Sequence, residues 1–133
     1  MAHRPAWLSI AAKYNYWDSM RDDLAPLRHQ LPPDVTRLGY AGKFLDTSYG
    51  LWKPLGRRVV VELGLSLGAK PPPPAGLEYA VVTVRGLQER YGMSLPAWLE
   101  FARAEIVFEM ERNTSLTGTH PAYEIWYLVR FRR

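Results

Sequence analysis

The stretch Tyr123-Glu124-Ile125-Trp126-Tyr127-Leu128-Val129-Arg130-Phe131-Arg132-Arg133 closes the chain and decides how the rest of it is read. Tyr123, Ile125, Tyr127, Val129 and Phe131 alternate with Glu124, Trp126, Leu128, Arg130 and Arg132. Successive side chains of a strand point to opposite faces, so the first set predicts a strand with one face on a core. The other face then carries Trp126, Leu128, Arg130 and Arg132, with Arg133 beyond them, and these residue types suit an interface better than open water. Two arrangements satisfy this pattern. Either the face is open and binds something, or another element covers Trp126 and Leu128 while the arginines solvate the strand end.

Upstream, Val59, Val61, Leu63, Leu65 and Leu67 alternate with Val60, Glu62, Gly64 and Ser66, which predicts a strand over Arg58 to Leu67. A further strand is expected from Tyr79 to Arg85. Between them, Lys70 and Pro71 to Pro74 cannot donate ladder hydrogen bonds and favour polyproline II, so they read as an exposed connector. Ser94 is a good N-cap and Pro96 is tolerated in a first turn. Trp98, Leu99, Ala102, Ile106 and Met110 then follow helical spacing, predicting a helix up to about Arg112. Asn113 to Pro121 reads as a loop.

The N-terminal third is less regular. Trp17, Met20, Leu24 and Leu27 recur at helical steps with Asp18, Asp22 and Asp23 opposite, and Pro32 and Pro33 close that helix. Trp7 to Ala12 fits either a strand or a helical turn. Residues 34–57 mix Gly39, Gly42, Gly50, Pro54 and Gly56 with Tyr40, Phe44, Tyr49 and Trp52, which predicts short strands or an ordered loop pinned by its rings. With 133 residues, one domain spanning 1–133 is expected. Its class is α+β: a mostly antiparallel sheet of three to five strands with two main helices packed on one face.

Composition narrows the chemistry. The absence of cysteine removes disulfides, thiolate catalysis and Cys-ligated zinc, and it points toward a reducing, cytoplasmic setting. No apolar run reaches the 18 or more residues of a membrane span, so no membrane partner is expected. The net charge of +4 is carried mainly by arginine, since Lys occurs only at positions 13, 43, 53 and 70. His3, His29 and His120 lack the spacing of a metal pair, and no glycine-rich phosphate cradle appears, so neither metal nor cofactor is expected.

Gly64-Leu65-Ser66-Leu67-Gly68 matches the nucleophile-elbow pattern, but Ala69, Lys70 and four prolines stand where its helix must follow. His120, with Tyr123 and Glu124 nearby, is the remaining candidate for acid–base chemistry, although no second catalytic group is placed beside it by spacing. The expected function is therefore a small non-catalytic intracellular protein that binds a protein partner, such as an accessory subunit, an assembly factor or an inhibitor. Its contact residues would be Trp126, Leu128, Arg130, Arg132 and Arg133, joined by Arg57 and Arg58. The alternatives are nucleic-acid binding through the same arginine and aromatic surface, and a small enzyme with a site near His120.

Overall fold

The computed structural model describes residues 23–43, 51, 57–65, 68, 70–113 and 123–132. Most of the helix expected before Leu27, the segment Trp7 to Ala12, and most of the loop Asn113 to Pro121 lie outside those residues. The described chain forms α1 (Ala25–Arg28), β1 (Arg37–Ala41), β2 (Val59–Glu62), β3 (Tyr79–Thr83), α2 (Val84–Tyr91), α3 (Leu95–Ala102), β4 (Ala104–Asn113) and β5 (Tyr123–Phe131).

The five strands make one sheet in the order β2-β1-β3-β5-β4. The expectation of an α+β fold holds, but a mostly antiparallel sheet does not describe it. β1 pairs in parallel with both β2 and β3, whereas β3–β5 and β5–β4 are antiparallel. Parallel neighbours need a crossover of about a dozen residues or more, and the connections 42–58 and 63–78 are both long enough.

Three further expectations change. The strand expected over Arg58 to Leu67 spans only Val59–Glu62 among the described residues, with Gly64 at φ 69° beyond it. The strand beginning at Tyr79 stops at Thr83, whose hydroxyl accepts a 2.9 Å hydrogen bond from the Gly86 amide and caps α2. α2 ends at Gly92, which sits in the left-handed region at φ 66° and so closes the helix without a Cβ clash. The late helix begins as expected, with the Ser94 hydroxyl accepting from the Ala97 amide, but it ends at Ala102 rather than near Arg112. Arg103 adopts φ 54° and turns the chain into β4. Ile106, Val107 and Phe108 are β-branched or aromatic and favour a strand; Ile106 and Met110 satisfy a period of two as well as the helical spacing.

Both faces of the sheet are covered. On one, α2 and α3 bury Leu87 and Trp98 against Ala80, Val82, Val129 and Phe131. On the other, Leu24, Leu27 and Leu31 of the α1 region, with Leu51, pack on Leu38, Tyr40, Val81, Trp126 and Leu128. The two helices expected to share one face, the one ending near Leu27 and the one beginning after Ser94, do not: the short α1 lies on one face, and α3 lies on the other beside α2, which was not expected. No helix among the described residues is long and apolar enough to cross a membrane.

Candidate functional site

The open face read from the last strand is closed. Trp126 and Leu128 are both 0% exposed, at the centre of the α1-side core. The Trp126 ring lies 5.7 Å from that of Tyr40, and the Arg112 guanidinium stands 4.5 Å above it. Arg112 Nε also donates to Asp23 Oδ2 at 2.7 Å, tying the start of the described chain to β4. These two residues are core rather than contact surface. The reason is local: β5 is flanked by β3 and β4 and packed from both sides, so each parity of its alternation meets a core. Tyr123 and Ile125, expected to line the core, are instead exposed near the start of β5.

The arginines fare differently. Arg57, Arg130 and Arg132 are exposed, and Arg130 approaches Glu105 at 3.7 Å. Arg58 is buried, donates through Nε to the Val35 carbonyl at 3.2 Å, and has its pKa lowered first by burial and then by Arg28. Arg133, His120 and Ser66 lie outside the described residues. Strand directions bring the remaining arginines to one end of the sheet. β1, β2 and β3 all start there, Arg130 pairs with Tyr79 at the start of β3, and Phe131 pairs with Ala104 at the start of β4. Arg37 and Arg103, which sequence reasoning did not single out, join the same end. The only hint of them was position, one opening a strand hidden by glycines and the other hidden inside a misread helix.

The opposite end is organised by Arg90 of α2. Its Nε donates to the Gly42 carbonyl at 2.7 Å, and one terminal nitrogen reaches Glu62 Oε2 at 2.6 Å and the Leu63 carbonyl at 3.0 Å. The guanidinium also lies 5.1 Å over the Tyr40 ring. Gly86 permits this docking, because a Cβ there would collide with the backbone of Ala41 and Gly42. Buried and bonded to protein carbonyls and a carboxylate, this arginine acts as a pin between α2 and the ends of β1 and β2. Among the described residues, no three His, Cys, Asp or Glu side chains stand close enough to hold a metal ion.

No known protein family, curated protein or solved structure matches this chain. Candidate surfaces therefore rest on geometry alone, and one stands out besides the arginine end. β4 is a ten-residue strand at the edge of the sheet and, among the described residues, it pairs only with β5. Ile106 and Val107 near its start are 40% and 44% exposed, and Ile125 and Tyr123 of β5, paired with Glu111 and Asn113 toward its other end, are 42% and 63% exposed.

Proposed function

We propose that this protein is a non-catalytic binding module that engages a protein partner along the β4 edge and the adjoining start of β5. The observation that carries this reading is a long edge strand bearing exposed large apolar side chains. Such an edge offers unpaired backbone groups to another extended chain, and the side chains beside it supply apolar contact.

Features of the edge also oppose the pairing of one copy with another. A register break between Ile106 and Phe108 bends the strand locally. Antiparallel self-pairing centred on Val107 sets Glu105 opposite Glu109, and centring on Phe108 sets Glu105 opposite Glu111, so like charges meet in both registers. A different protein, lacking that acidic repeat, meets no such penalty.

The test is site-specific photo-crosslinking in native lysate, with the crosslinker at Val107 and, as a control, at the exposed Gln88 of α2. One protein should be recovered from Val107 and not from Gln88. The double variant Ile106→Thr with Val107→Thr keeps β-propensity and should weaken binding of that protein at least tenfold. Equal recovery from both positions, or unaltered binding by the double variant, would place the contact elsewhere.

A further inference from the structure

Among the described residues, exposed arginines gather at one end of the sheet. At the end of the sheet where the parallel strands begin, Arg37 opens β1 and Arg57 precedes β2. Arg130 lies near the end of β5, and the Arg132 amide donates to the Arg103 carbonyl at 2.7 Å, placing those two residues side by side. All five are exposed. Arg58, which follows Arg57, is buried, its Nε donating to the Val35 carbonyl at 3.2 Å. The exposed carboxylates flanking these strand starts are Asp34, Glu78, Glu100 and Glu105, and Glu105 lies 3.7 Å from Arg130.

Two aspects of the arrangement narrow the ligand. Among the described residues every cation at this end is arginine, whose planar fork meets phosphate oxygens in pairs; Lys70 lies elsewhere, bonded to the Gly64 carbonyl. The exposed arginines are also strung across the sheet end rather than gathered around a pocket. At roughly 4.8 Å between strands, five strands span about 19 Å. A nucleic-acid strand presents one phosphate per about 3.4 Å of helix axis, so a row of that length meets several successive phosphates. A small anion would use one or two of these arginines and leave the rest idle.

We propose that this sheet end, through Arg37, Arg57, Arg103, Arg130 and Arg132, is a binding surface for the phosphate backbone of nucleic acid. The site is independent of the β4 edge and of the partner proposed for it. It differs from a stacking platform on the sheet face, because Trp126 is enclosed in the core. Recognition is therefore of the backbone and indifferent to base sequence.

The experiment is fluorescence anisotropy with a labelled 20-base-pair DNA duplex and the full chain, titrated from about 50 to 200 mM KCl, the range over which phosphate contacts lose affinity steeply. Engagement of three or more phosphates predicts a slope of log K against log salt of about −3 or steeper, at about −0.9 per phosphate. Arg57→Gln with Arg132→Gln should weaken binding at least tenfold and flatten the slope by about 1 to 2. Arg103→Gly removes a charge while suiting the left-handed backbone at that position, and should weaken binding without unfolding. Arg85→Gln, on the first turn of α2 beyond the other end of the sheet, should bind as the parent does. The Ile106→Thr, Val107→Thr variant should also bind DNA normally, so failure of the edge reading and failure of this one are separable. Absence of binding at 50 mM KCl, parent-like binding by both the Arg57/Arg132 and Arg103 variants, or equal competition by poly-glutamate of matched charge would overturn the proposal.

Discussion

Arg90 and Trp126 show how single residues hold this molecule together, and both carry stability predictions. Arg90 saturates carbonyls of Gly42 and Leu63 and the Glu62 carboxylate from a buried position. Arg90→Ala removes these hydrogen bonds, and because Glu62 is itself exposed no buried charge is stranded, so the cost is that of unmade buried hydrogen bonds, about 1 to 3 kcal/mol. The shift of the urea unfolding midpoint measures it, and an effect below about 1 kcal/mol, the range of a surface pair, would mean the pin is solvent-exposed. Trp126→Ala should cost about 3 to 5 kcal/mol as a large core truncation, whereas Ile106→Ala on the half-exposed edge should cost far less. Tyr91 supplies a pH dependence. Burial raises its hydroxyl pKa above 10.0, against smaller opposing effects from Trp98 and Arg90. The unfolded tyrosine then loses its proton at lower pH than the folded one, so its stabilisation is complete below pH 10 and is lost as pH rises through the folded pKa. Unfolding midpoints measured from pH 8 to 11 should fall above pH 10, and Tyr91→Phe should flatten that fall.

At the scale of elements, the sequence was legible where one period acted alone and misleading where two overlapped. Alternation marked the last strand and the stretch Arg58 to Leu67, of which Val59–Glu62 forms β2; the strand expected over Tyr79 to Arg85 forms as far as Thr83, and Ser94 marked the start of α3. β4 did not, because Trp98, Leu99, Ala102, Ile106 and Met110 satisfy a helical spacing that continues unbroken through the turn at Arg103. Nothing in an arginine announces a left-handed conformation. That position makes its own prediction: Arg103→Gly should stabilise the fold by about 0.5 to 1 kcal/mol in thermal unfolding, since glycine tolerates φ 54° without a Cβ penalty. Unchanged or lowered stability would mean the arginine side chain offsets the strain. β1 was obscured because Gly39 and Gly42 punctuate it, and α2 because its eight residues follow Thr83 with no loop between. The parity of the last strand was correct, but parity cannot distinguish a covered face from an open one. Leu24, Leu27 and Leu31, distant in sequence, are what close it.

For the whole molecule, both faces of the described sheet are covered, and its edges β2 and β4 and its strand ends remain; of these we propose β4 and the arginine-bearing end as contact surfaces. Arg57 joined to Arg130 and Arg132 at one sheet end was an inference available from sequence; the addition of Arg37 and Arg103 required strand directions that only the mixed topology supplies. We propose that a protein partner lies along β4. Amide hydrogen exchange of the protein, alone and with the partner recovered through Val107, tests it most directly, because a strand added to an edge takes up outward-facing amides. A partner strand on β4 should slow exchange within Ala104–Asn113 and leave Val84–Tyr91 unchanged; protection confined to the helices or to the starts of β1 and β3, with β4 unaltered, would rule that placement out.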